Sequence, residues 1–132
     1  MADSLAVVQD LLGKLEAGDN YGALALLDDD VVYENVPFPP ARGKRATEKM
    51  LRSFLKLFNR FQVTMHAIAA NDGTVLTERT DVLSGPVFHV ELWVCGTFEV
   101  RDGKITVWRD RFDLAQATVN TVIGTLRNVL GR

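Results

Sequence analysis

Residues 61–112 read FQVTMHAIAA-NDG-TVLTERTDVL-SGPV-FHVELWVCGTFEV-RDG-KITVWRDRF, and the fold turns on this stretch. Apolar and polar side chains alternate through it with period two, the spacing of strands with unlike faces. The alternation predicts strands over Phe61–Ala70, Thr74–Leu83, Phe88–Val100 and Lys104–Phe112. Between them stand Asn71-Asp72-Gly73, Ser84-Gly85-Pro86 and Arg101-Asp102-Gly103, short and rich in turn formers. Turns of that length join antiparallel neighbours, so the four strands are expected to form one curved meander. Phe88, Val90, Leu92, Val94, Phe98 and Val100 share one face of the longest strand, with Gly96 where a bend is cheap. The other face carries His89, Glu91, Trp93, Cys95, Thr97 and Glu99, and Trp93 there suits contact with a second subunit.

Upstream, the period changes. Leu5, Val8, Leu12 and Leu15 recur at helical spacing, and Gly18 follows where a helix stops. Tyr21–Leu27 reads as a second, short helix. Asp28, Asp29 and Asp30 are unfavourable at a helix C-terminus, so a turn is expected there. It leads into a short strand, Val31–Val36, closed by Pro37, Pro39 and Pro40. Thr47–Asn59 is expected to be helical, with Thr47 as N-cap and Met50, Phe54, Leu57 and Phe58 on one side. Ala115–Val129 closes the chain as a helix. Helices, a strand, a meander and a helix describe an α+β domain, with helices against one face of a sheet that encloses a pocket.

The 132 residues suit one domain, 1–132, without linker or repeat. Fifteen basic against seventeen acidic residues give a net charge of −2, which carries no general attraction to nucleic acid. The longest apolar run, Ala23–Leu27, is far below the ~20 residues of a membrane span. Met1–Asp10 has no basic segment ahead of an apolar one, so a soluble, cytoplasmic protein is expected. Cys95 is the single cysteine, which excludes an internal disulfide; it reads as a core thiol. His66 and His89 lie in different strands without ligand spacing, and no Gly-rich phosphate loop occurs. Neither a metal nor a cofactor is expected.

Three short segments hold the candidate chemistry. In Lys104–Phe112, Asp110 shares a face with Trp108 and Phe112, a costly place for a carboxylate unless it is compensated. An exposed edge with two aromatics accounts for the same pattern. In Thr74–Leu83, Arg79 and Asp81 share a face, as either a solvated ion pair or part of a site; periodicity does not decide which face is inward. Tyr33 and Asn35 share a side of the early strand and carry donors and acceptors able to orient a water.

These segments resemble a known family. Tyr33-Glu34-Asn35-Val36-Pro37 with Pro39-Pro40, then Glu78-Arg79-Thr80-Asp81-Val82-Leu83, then Trp108-Arg109-Asp110-Arg111-Phe112-Asp113, are similar to signature segments of the limonene epoxide hydrolases. The resemblance implies the cone-shaped fold shared with nuclear transport factor 2 and ketosteroid isomerase, with N-terminal helices against a strongly curved, mixed, mostly antiparallel sheet. It implies hydrolysis of a hydrophobic epoxide (terpene-, lipid- or sterol-like) to a vicinal diol, and a homodimer. In that family an Asp-Arg-Asp triad works with a Tyr and an Asn that hold the attacking water. Carried over, Asp110 deprotonates the water, Asp81 protonates the epoxide oxygen, Arg79 lies between them, and Tyr33 and Asn35 hold the water. With one proton shared by the two acids, the triad carries no net charge and can be buried. Glu34 and Arg111 and the short turn at Ser84–Val87 depart from the family pattern and leave the triad intact. Leu83, Phe112, Phe88, Leu92 and Phe98 are the expected apolar contacts of the substrate. A ketosteroid-isomerase-like or cyclase-like enzyme, and a non-catalytic binding module, are the alternatives on the same fold.

Overall fold

A computed structural model describes residues 3–130. Its elements run α1 (Ser4–Glu16), α2 (Asn20–Ala25), β1 (Leu27–Val36), β2 (Ala41–Arg42) and α3 (Lys44–Leu57). The meander follows as β3 (Arg60–Asn71), β4 (Thr74–Ser84), β5 (His89–Arg101) and β6 (Lys104–Phe112), with α4 (Leu114–Leu130) last. One six-stranded sheet has the order β2-β1-β6-β5-β4-β3. All neighbours are antiparallel except β1 and β6, which run parallel. The architecture is α+β with a curled mixed sheet, as the sequence predicts.

Local chemistry explains the elements. Asp3 caps α1 by accepting from the Leu5 N–H at 3.1 Å. Gly18, at φ +78°, turns the chain out of the helix where a side chain would be strained. Val7, Val8, Leu11 and Leu12 form its buried stripe. They join Leu27, Val31, Val75, Phe98, Ile105 and Trp108 in the core. At the β5–β6 turn Asp102 and Gly103 both have positive φ, the requirement of a tight hairpin with strand-matched twist.

Three local expectations are corrected. Asp28, Asp29 and Asp30 lie inside β1, which starts at Leu27, because the Leu27 segment pairs with Ile105 and the register shifts before Val32. The irregularity leaves Asp29 and Asp30 exposed, so strand pairing costs them no hydration. Thr47 is no N-cap: α3 starts at Lys44 after Gly43, and the fully buried Thr47 hydroxyl donates back to the Gly43 carbonyl at 2.9 Å. The helices do not share one face. α1 and α3 lie over the concave side, whereas α4 runs beside His89, Glu91 and Trp93 on the other. A Cβ at Gly124 would come within 2.7 Å of the His89 carbonyl, so glycine permits that close approach. Among the described residues, no helix is long and apolar enough to cross a membrane.

Candidate active site

Strand order decides which side chains meet. β4 turns Val75, Thr77, Arg79, Asp81 and Leu83 inward, settling the face that periodicity leaves open. β6 turns Trp108 and Asp110 to the same side. The parallel β1–β6 register sets Tyr33 opposite Trp108 and Asn35 opposite Asp110. β5 lies between β4 and β6, so Arg79 must reach across a whole strand to touch Asp110. Two strand spacings are about 9.6 Å, a span for a long side chain and an empty floor. Gly96 is that floor, paired with Thr77 on one side and Asp110 on the other. A Cβ there would lie 2.5 Å from Arg79 Nη1, 2.6 Å from Thr77 Oγ1 and 3.0 Å from Asp110 Oδ1. The sequence suggests a bend at Gly96; the structure gives it a further use, room for the guanidinium.

The guanidinium is held on several sides. Its Nε donates to Asp81 Oδ1 at 2.8 Å and its Nη2 reaches Asp81 Oδ2 at 3.1 Å. Nη2 also lies 2.8 Å from Asp110 Oδ2, and Nη1 donates to Thr77 Oγ1 at 2.9 Å. The Trp108 indole N–H donates to Asp110 Oδ2 at 3.1 Å, while Tyr33 packs against the same indole with ring centroids 4.2 Å apart. Phe98 lies under the guanidinium, 5.9 Å from its carbon. Arg79, Asp81 and Asp110 are 1%, 6% and 6% exposed. Asp110 Oδ1 is buried and accepts no hydrogen bond among the described residues. Thr77 and the Trp108 indole N–H are contributors the sequence does not single out. Their signals are the inward positions two residues before Arg79 and two before Asp110.

Burial sets the protonation states. It pushes the Asp81 carboxyl up to about 6; Arg79 opposes the rise, and Asp110 adds to it. For Arg79, burial alone would weaken the charge, but Asp110 and Asp81 together more than offset it and keep it cationic. Burial and then the Asp110 charge push the Tyr33 hydroxyl well above its ordinary range, so the phenol stays neutral. The neighbouring Asn35 side chain and the Arg79 charge oppose that rise without overcoming it. Asn35 donates from Nδ2 to Met50 Sδ at 3.8 Å.

A cavity of about 490 Å³ opens over this floor. Tyr33, Asn35, Arg79, Asp81 and Asp110 all line it. Of the expected apolar contacts, Leu83, Leu92 and Phe112 line it too. Phe88 and Phe98 do not, which corrects two assignments. Phe88 precedes β5, is 39% exposed and meets Phe58 edge-on. Phe98 is fully buried in the core, two residues beyond Gly96, stacked near Trp108 at 6.3 Å. The sequence misses the opposite wall, where α3 supplies Met50, Leu51 and Phe54 and the following segment supplies Phe58. Helical periodicity gave that face as apolar without saying that it faces a cavity. Cys95, read as a core thiol, is exposed on the outer face, and His66 there stacks on Trp93 at 4.4 Å. Among the described residues, no three His, Cys, Asp or Glu side chains cluster for a metal.

A curled sheet with helices over its concave side and a pocket between them is the nuclear-transport-factor-2-like fold, here with an acid–arginine–acid set on the pocket floor. A solved NTF2-like protein from Cytophaga hutchinsonii shares the fold, with a TM-score of 0.73 at 14% identity over 88% of this chain and 95% of that one. The profile of the limonene-1,2-epoxide hydrolase catalytic domain matches residues 2–122, and the chain belongs to this family. It is 47% identical over 107 residues to epoxide hydrolase EphG of Mycobacterium tuberculosis, covering 81% of this chain and 71% of that protein. It is also similar to the structure of an M. tuberculosis LEH-like epoxide hydrolase, with a TM-score of 0.88 and 40% identity, covering 98% of this chain and 96% of that one.

Proposed function

We propose that this epoxide hydrolase of limonene-1,2-epoxide hydrolase type converts a hydrophobic terpene-, lipid- or sterol-like epoxide to a vicinal diol by direct, one-step attack of water. One observation carries this reading: two carboxylates share one guanidinium on the floor of a mostly apolar cavity. An epoxide carbon is a modest electrophile toward neutral water, and the departing oxygen needs a proton. A base and an acid acting together meet both needs, each worth about 10²–10⁴-fold.

Asp81, with its carboxyl pushed up to about 6, is the acid. Asp110 is the base; Arg79 and Trp108 engage its Oδ2. Tyr33 and Asn35 hold the water against Asp110. As water oxygen bonds to the ring carbon, the carbon–oxygen bond breaks and the ring oxygen takes the Asp81 proton. The water gives its own proton to Asp110. The triad therefore keeps zero net charge before and after the step, and the burial penalty does not change during it. The proton must return from Asp110 to Asp81 before the next turnover, which makes the two acids one coupled unit.

Single turnover in ¹⁸O-water tests this reading: label is expected in the diol at once and none in the protein. Label in the carboxylate of Asp81 or Asp110 would mean a covalent ester and overturn it. The proposal includes a cytoplasmic setting and a symmetric homodimer. The outer face with half-exposed Trp93, and exposed Val122, Ile123 and Leu126 on α4, supports the second; sedimentation at twice the chain mass is expected.

A further inference from the structure

We propose that Met50 is a positioning residue, whose thioether fixes the amide of Asn35 so that its carbonyl oxygen faces the attacking water. The inference rests on the direct-attack reading above and deepens it.

An asparagine amide presents a donor end and an acceptor end of nearly equal size, and only its neighbours decide which way it points. A flipped amide would turn its N–H groups toward the water and offer no acceptor. Met50 Sδ can accept a hydrogen bond and cannot donate one, so the Asn35 group 3.8 Å from it must be the NH₂. The donor end of the amide is then committed to the sulfur. Oδ1 remains as a neutral acceptor on the cavity wall, within the set formed by Tyr33, Asn35, Met50 and Asp110.

The water needs that acceptor. One of its hydrogens goes to Asp110 as the base. If the second has no acceptor, the water can rotate and its lone pair wanders from the ring carbon. An Asn35 carbonyl fixes the second hydrogen and leaves the lone pair aimed. Met50 does this from α3, whereas Tyr33 and Asn35 stand on β1, so the helix takes part in orienting water as well as in walling the cavity.

The sequence offers a contrast within the same helix. Leu51 and Phe54 also line the cavity, and neither has an acceptor. A side chain chosen for volume alone at position 50 could be leucine, which is close to methionine in size. The sulfur is what leucine lacks.

A double-mutant cycle separates orientation from packing. Met50→Leu in the wild-type background is expected to lower kcat about five-fold with KM little changed, the worth of one modest hydrogen bond. In an Asn35→Ala background, read by single turnover at high enzyme, Met50→Leu is expected to cause no further loss. Met50→Gln, whose side-chain carbonyl can accept the same N–H, is expected to recover most of the lost kcat. Equal losses from Met50→Leu in both backgrounds, no loss in either, or a Gln variant no better than the Leu variant would each overturn the assignment. Label entering the protein in the ¹⁸O experiment would instead defeat the direct-attack reading itself, so the two failures are distinguishable.

Discussion

Arg79 and Arg109 each hold a carboxylate oxygen at 2.8 Å, one on the concave face of the sheet and one on the opposite face. Arg109 pairs with Glu34 across the parallel β1–β6 ladder, and both side chains are about one-third exposed, at 33% and 27%. Arg79 is 1% exposed and serves Asp81 and Asp110 together. Distance does not separate the two arrangements; water does. In solvent the Glu34–Arg109 attraction is screened and worth little. Without solvent, two acids cannot both ionise cheaply beside one cation, so a proton is retained. A retained proton next to a free acceptor oxygen is the raw material of acid–base chemistry.

The comparison breaks most sharply at the acids. Asp110→Asn or Asp81→Asn is expected to lower kcat by at least ~10²-fold, with the double variant scarcely worse than either single one. The pH dependence follows from the raised Asp81 carboxyl. The folded chain keeps that proton at pH values where the unfolded chain has lost it, so stability falls as pH rises from 3.8 to about 6. Activity that needs the proton falls above about 6. Chemical denaturation across that window is expected to show the slope in wild type and a flatter line in Asp81→Asn.

Gly96→Ala tests the floor under the guanidinium. The added methyl would stand 2.5 Å from Arg79 Nη1, and the arginine must shift to admit it. A displacement of that order is expected to cost kcat about 10²-fold, while overpacking lowers stability by about 1–3 kcal/mol. Steady-state kinetics and thermal melts together separate the two losses.

The smallest effect belongs to the outer pair. Glu34→Gln or Arg109→Gln is expected to change stability by no more than about 1 kcal/mol and kcat by less than about three-fold. A large loss of kcat in either variant would erase the contrast between the faces.

Much of this was legible in order of physical strength. The four meander strands were readable because period two and Gly-containing turns are local signals. Tyr33, Asn35, Arg79, Asp81 and Asp110 could be named because their segments resemble a family. Their meeting at one floor depends on β6 pairing with β1, a contact between residues about 75 apart that no local pattern encodes. Alternation along β4 is symmetric for Thr77, Arg79 and Asp81 against Glu78 and Thr80, so the inward face had to wait for the helices. Gly96 was legible as a glycine and illegible as a space. Phe98 failed as a cavity contact because alternation assigns a face and says nothing of depth: past Gly96 the same face runs into core. Asp28–Asp30 failed as a turn ahead of the strand because the chain already pairs at Leu27, before them, and again at Val32. The acids form an irregularity within β1, where Asp28 accepts from the Asp30 N–H.

The parallel junction of β1 with β6 has a consequence in time. During synthesis Tyr33 and Asn35 emerge early, yet their strand gains its long partner only after Trp108 and Asp110 have been made. Until then the half-made sheet has no second acid and no closed cone. Such a long-range contact forms after the local hairpins, because closing the large loop between its strands comes at an entropic disadvantage. Chemical competence thus arrives with the final ladder, and a chain that stalls before it is inert rather than partly active.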